Sequence, residues 1–99
     1  MKRVIIAGVG PGSKSCLTGE VKEAINNAEV LIGSKRLIEE YTDKKTFYAV
    51  TAKDIMDIID NEYANNYVVL MSGDTGFYSG AKKLTEALAG KYEYRIMAG

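Results

Sequence analysis

The sequence predicts an α/β domain built on a parallel sheet. Three observations carry that expectation. Short apolar runs of strand length recur along the chain, as in Val4-Ile5-Ile6-Ala7 and Val68-Val69-Leu70-Met71. Segments with a helical spacing of apolar residues lie between them. Two of the runs lead directly into glycine-rich turns, Gly8-Val9-Gly10-Pro11-Gly12 and Ser72-Gly73-Asp74-Thr75-Gly76. A buried strand that ends in such a turn and is followed by a helix is the usual small-molecule site of α/β proteins.

Each element has its own signal. Lys2–Ala7 reads as a fully buried first strand. Leu17–Ala28 reads as a helix with Leu17, Val21, Ile25 and Ala28 on one face, its start capped by Ser15 or Thr18. Glu29–Ile32 is a short second strand. Ser34 is placed to cap a brief helix reaching Tyr41, with Leu37 and Ile38 inward. Thr46–Val50 is the third strand. Thr51-Ala52-Lys53-Asp54 resembles a capping box with Asp in the usual Glu position. It opens a helix whose Ile55, Ile58, Ile59 and Tyr63 point inward by spacing. Tyr67–Met71 is the fourth strand. Tyr78–Ala89 is a helix with Ala81, Leu84 and Leu88 on its buried face, stopped by Gly90. Glu93–Met97 is the fifth strand. The seven tyrosines, Tyr41, Tyr48, Tyr63 and Tyr67 among them, read mostly as core or half-buried. Strands alternating with helices imply right-handed crossovers.

Composition narrows the function classes. The 99 residues make at most one domain with one modest core. Thirteen basic residues balance thirteen acidic ones, so there is no basic surplus to favour nucleic acid. No run is long enough to span a membrane, and Met1-Lys2-Arg3 opens no signal peptide, which makes a cytoplasmic protein the expectation. The one cysteine, Cys16, excludes an internal disulfide and reads as passive packing. Without histidine, no metal site and no Ser-His-Asp set is expected. The chain stops just after its fifth strand, which suggests a domain cut from a longer protein.

The first glycine-rich turn fits neither of two common phosphate motifs. The dinucleotide fingerprint needs glycine at its sixth position, where counting from Gly8 gives Ser13. The nucleotide triphosphatase loop matches at Gly8, Lys14 and Ser15, but Ser13 again replaces a glycine and Pro11 removes a backbone donor. What remains is a rigid turn whose backbone meets a less charged ligand, or a tight connection with no ligand at all. In the second turn, Asp74 can accept from an amine or hydroxyl of a ligand, or close an Asx turn and cap the next helix. Both turns follow strands of a parallel sheet, so both belong to its carboxyl edge. Lys35-Arg36 is a weaker candidate, a cationic pair able to meet an anionic substrate. Phe77-Tyr78 can line a pocket wall.

Two of these segments resemble a known family. Val9-Gly10-Pro11-Gly12 followed by Leu17-Thr18 resembles the opening of the tetrapyrrole (corrin/porphyrin) methylases. Ser72-Gly73-Asp74-Thr75-Gly76-Phe77-Tyr78-Ser79 resembles the family's second signature, where Gly-Asp-Pro is usual. Gly33-Ser34-Lys35-Arg36 is similar to the branch of precorrin-6Y, or cobalt-precorrin-7, C5-methyltransferases. The resemblance covers essentially the whole chain. It implies a five-stranded parallel sheet in the order 3-2-4-1-5, with flanking helices. It makes residues 1–99 the N-terminal domain of a two-domain enzyme whose C-terminal domain is absent here. It implies S-adenosyl-L-methionine as methyl donor, held by Gly10, Pro11, Gly12, Gly73, Asp74 and Thr75, with Thr75 standing where relatives have proline. The substrate is then a precorrin or cobalt-precorrin of cobalamin biosynthesis, methylated at C5, and the enzyme is a homodimer. Alternatives are relatives acting on uroporphyrinogen, diphthine or ribosomal RNA, or a stand-alone ligand-binding module. The sequence singles out no catalytic residue.

Overall fold

The computed structural model describes residues 2–9, 19–39, 41, 43–72 and 77–97. Five strands alternate with four helices: β1 (Arg3–Val9), α1 (Gly19–Asn27), β2 (Val30–Gly33), α2 (Lys35–Ile38), β3 (Lys45–Tyr48), α3 (Ala52–Asn61), β4 (Asn66–Ser72), α4 (Phe77–Leu88) and β5 (Glu93–Met97). All four strand pairings are parallel, and the order is β3-β2-β4-β1-β5. The expected fold class and strand order are both present.

The order explains where the helices go. The connections β1 to β2 and β2 to β3 run toward one edge of the sheet, and β3 to β4 and β4 to β5 run back. Right-handed crossovers therefore place α1 and α2 on one face and α3 and α4 on the other. Two cores result. One packs Val4, Ile6, Val30, Ile32, Tyr67 and Val69 of the sheet under Ile55, Met56 and Ile59 of α3 and Ala81, Leu84 and Leu88 of α4. The other packs Ala7, Leu31, Val68 and Leu70 under Val21, Ala24 and Ile25 of α1 and Ile38 of α2. Alternate residues of each strand serve opposite cores, so β1, β2 and β4 read as continuous apolar runs.

Local chemistry ends the helices. Thr51 Oγ1 accepts from the Asp54 backbone N–H at 3.2 Å and caps α3. Gly90 follows α4 with φ +79°, the left-handed conformation expected of a helix-ending glycine. The last turn of α1 holds no basic residue; Lys44 supplies one from a distance, donating to the Asn26 and Ala28 carbonyls at 3.0 and 3.1 Å.

Three sequence expectations need correction. Tyr63 does not point inward: α3 ends at Asn61, Glu62 is extended, and Tyr63 is fully exposed. The chain turns away because Tyr67 captures it; its hydroxyl accepts from the Ala64 N–H and donates to the Glu62 carbonyl. Ser34 holds the N-cap position of α2, but its side chain makes no capping bond, and the helix stops at Ile38 rather than Tyr41. The tyrosines divide by strand position: Tyr67 is buried, whereas Tyr48 and Tyr94, on the edge strands β3 and β5, are exposed.

Candidate site at the carboxyl edge of the sheet

β1 and β4 lie side by side at the centre of the sheet. Their register runs from Arg3 opposite Asn66 to Val9 opposite Ser72. The segments holding the two glycine-rich turns thus leave the sheet from two residues that are direct partners across neighbouring strands. Small residues end β1: Ala7 and Gly8 are both buried, the latter beside Met71. Wherever neighbouring strands send their connections to opposite faces, a crevice opens beyond their carboxyl ends. β1 leads to α1 on one face and β4 to α4 on the other, so the crevice falls beyond Val9 and Ser72, the paired ends of the two strands. The same divergence holds for β2 against β4, and for β3 against β2.

Of the residues expected to hold a cofactor, Gly10, Pro11, Gly12, Gly73, Asp74 and Thr75 lie outside the described residues, as does Cys16. The described structure brings together the strand ends on which those residues are hung. Helix α4 starts at Phe77, directly after the second turn. Lys35 and Arg36, singled out as a weaker candidate, are exposed on α2 at the carboxyl end of β2.

Other polar groups serve the opposite end of the sheet. Tyr92 donates its hydroxyl proton to Asp60 Oδ1, and Lys91 Nζ meets Asp60 Oδ2 at 2.9 Å. The Tyr92 hydroxyl bond, then Lys91, holds the Asp60 carboxyl below its ordinary range. The bond to Asp60, followed by burial, pushes Tyr92 up to about 12. These groups tie the α4–β5 turn to α3, far from the carboxyl edge. A shallow depression of about 300 Å³ lies between α1 and the sheet, floored by Ile5, Val68 and Met97 and flanked by Arg3, Glu20 and Arg95. It opens on the sheet's face, not at the strand ends. No sequence pattern marks it, because its floor residues alternate normally into a core face. No helix among the described residues is long and apolar enough to cross a membrane.

Comparison with known proteins agrees with this geometry. Residues 3–99 match the family model of the Tetrapyrrole (Corrin/Porphyrin) Methylases. A probable cobalt-precorrin-7 C(5)-methyltransferase from Methanocaldococcus jannaschii is 30% identical over 97% of this chain and 48% of its own length. A probable cobalt-factor III C(17)-methyltransferase from Salmonella typhimurium is 29% identical over 95% of this chain and 44% of its own. Among solved structures, the methyltransferase CobJ superposes with a TM-score of 0.75 at 24% identity, over 98% of this chain and 46% of CobJ. The precorrin-6Y methylase of Archaeoglobus fulgidus gives 0.65 at 22% identity, over 98% and 51%. Both structures share the fold. The chain spans about half the length of the relatives it matches. With its sheet order, paired glycine-rich segments and family match over residues 3–99, the chain belongs to the tetrapyrrole (corrin/porphyrin) methylases.

Proposed function

We propose that this chain is the N-terminal, cofactor-side domain of an S-adenosyl-L-methionine-dependent C-methyltransferase acting on a precorrin or cobalt-precorrin at C5, in cobalamin biosynthesis. The observation that carries the reading is the pairing of Val9 with Ser72 at the carboxyl edge, within a chain that matches the family along nearly its whole length. The likeness to a cobalt-precorrin-7 C(5)-methyltransferase supports the choice of substrate. A second α/β domain completes the pocket in this reading, and the working enzyme is a cytoplasmic homodimer.

The donor supplies an activated methyl group on a sulfonium. Transfer would join that methyl carbon to a carbon of the conjugated macrocycle, with the S–CH3 electron pair left on sulfur and a macrocycle proton released to water. The protein's task is alignment of donor and acceptor, for which effective molarity is the large term. In this reading the segments around Gly10–Gly12 and Gly73–Thr75 hold the donor against the crevice between β1 and β4, and Asp74 accepts a hydrogen bond from it.

The test is transfer of an isotopically labelled methyl from S-adenosyl-L-methionine to precorrin-6Y or cobalt-precorrin-7 by the full-length protein. One labelled methyl at C5, located by NMR, is the expected product. Donor binding with transfer to C17, or to RNA or protein acceptors instead, would replace the substrate assignment. An absence of donor binding would overturn the methyltransferase reading.

A further inference from the structure

The carboxyl edge continues past β4 to β2 and β3, and there it changes character. Gly33 and Tyr48 are register partners, and the Ala49 N–H donates to the Gly33 carbonyl at 3.0 Å. Gly33 faces α2 and Leu70, so its partner Tyr48 lies on the α2 side of the sheet. Tyr48 is 65% exposed, and Val50, two residues beyond it, is 56% exposed. An aromatic ring and an aliphatic side chain thus stand in solvent at a strand end, where burial would be the cheaper arrangement.

Cations stand next to them. Lys35 and Arg36 begin two residues after Gly33 and are both exposed on α2. Among the described residues neither has an ion-pair partner, although four other cations do. The Ser34 hydroxyl, released from capping, makes no hydrogen bond among them either. The neighbouring charges do not cancel the pair: Lys53 and Asp54 open α3 at the same edge and offset one another, leaving Glu39, just after α2, as the nearby acid among the described residues. An exposed apolar surface beside two cations that have no ion-pair partner among the described residues fits a flat, largely apolar ligand with carboxylates on its rim. Corrin precursors, ringed by acetate and propionate groups, have that chemistry.

The geometry points to Lys35 and Arg36 as the residues that bind rim carboxylates of the tetrapyrrole, with Tyr48 and Val50 under one edge of the macrocycle. This assignment rests on the methyltransferase reading and names the acceptor side of the same crevice. The donor lies between β1 and β4, and the acceptor is gripped from β2 and β3. Arg36 offers a planar fork to a carboxylate and Lys35 a point charge, so the two are not interchangeable. The pair is a specificity element, with no part in the methyl transfer itself.

Uroporphyrin, a soluble tetrapyrrole with carboxylates around its rim, serves as the probe. Its binding to the full-length protein is followed by fluorescence, and S-adenosyl-L-methionine binding by calorimetry. The double variant Lys35→Gln/Arg36→Gln should bind uroporphyrin about tenfold more weakly or worse, the loss of a charge-assisted hydrogen bond. Its binding should also depend less steeply on salt, while donor affinity and melting temperature stay unchanged. Arg36→Lys should recover the salt dependence but only part of the affinity. Tyr48→Ser should weaken uroporphyrin binding and leave its salt dependence intact. Unchanged uroporphyrin affinity and salt slope in the double variant, with the donor still bound, would overturn this assignment alone. A wild-type protein that binds neither molecule would overturn the methyltransferase reading and this assignment with it.

Discussion

Replacing Gly33 with alanine should destabilise the domain for a steric reason the structure makes explicit. Gly33 ends β2, and its backbone does not adopt a positive φ, so conformational freedom is not why glycine stands there. A Cβ at this position would sit 3.0 Å from the Leu70 carbonyl oxygen and 3.3 Å from both Leu70 Cβ and Ile38 Cγ2. Ordinary contact would need each neighbour to retreat by a few tenths of an ångström. Leu70 belongs to β4, the middle strand, laddered to β1 on one side and β2 on the other. Its carbonyl is held by the sheet, so the strain falls on Ile38 and on the seating of α2. Overpacking of this kind costs about 1–3 kcal/mol. For a domain of this size each kcal/mol lowers Tm by about 4–8 °C. Thermal and denaturant unfolding measure the loss, with Gly19→Ala as the control. Among the described residues nothing lies within 4 Å of a Cβ at Gly19 in α1, so that change should stabilise by about 0.5 kcal/mol. If Gly33→Ala melts with wild type, the close packing of β2 against β4 is wrong. The position of α2, on which the proposed tetrapyrrole contact depends, would then be wrong too.

Three further outcomes follow from the same structure. Gly90→Ala meets no neighbour but forces a side chain into φ +79°, which should cost about 1–2 kcal/mol of unfolding free energy. Thr51→Ala removes the hydroxyl that accepts from the Asp54 N–H and should cost about 0.5–2 kcal/mol, read from the denaturant midpoint at unchanged m-value. The Tyr92–Asp60 bond makes stability depend on pH at both ends. Asp60 titrates lower in the folded state, so its contribution is present above the ordinary carboxyl pKa of 3.8 and lost as pH falls through the depressed value. Tyr92 titrates higher in the folded state, so its contribution is present below 10.0 and lost as pH rises toward about 12. In Tyr92→Phe both losses should shrink, the alkaline one leaving the part that belongs to Tyr67, whose burial also raises its pKa, as unfolding across the pH range would report.

Much of the fold was legible because local and global signals agree. β1 and β4 serve two cores and so read as unbroken apolar runs, and the Thr51 cap and Gly90 stop are written in single residues. The periodicity gave strands and helices but not their order; the order 3-2-4-1-5 came from the resemblance of the glycine-rich segments to a family. Tyr63 misled because the spacing Ile55, Ile59, Tyr63 continues the buried stripe with no Gly or Pro to end it. The helix stops there through contacts from elsewhere, the Tyr67 hydroxyl on Glu62 and Ala64 and the Glu29 carboxylate accepting from the Asn65 and Asn66 N–H groups. Such long-range bonds leave no mark at the helix end itself. Tyr48 and Tyr94 misled for a related reason: strand composition does not reveal which strands become edges. At the site, the turn segments were visible as glycine patterns. Lys35 and Arg36 stood out as a cationic pair, but the exposed Tyr48 of the proposed acceptor side did not, since its place across from Gly33 follows only from the pairing of β2 with β3.

In the proposed methyltransferase the two segments leaving Val9 and Ser72 hold a methyl donor between them. Donor titration and thermal unfolding of the full-length protein, wild type against Asp74→Ala, test it most directly. Donor affinity should fall about tenfold or more, the value of a charged hydrogen bond, while Tm barely moves. A variant that melts earlier yet binds S-adenosyl-L-methionine as tightly as wild type would make Asp74 a helix cap ahead of Phe77 and contradict the claim.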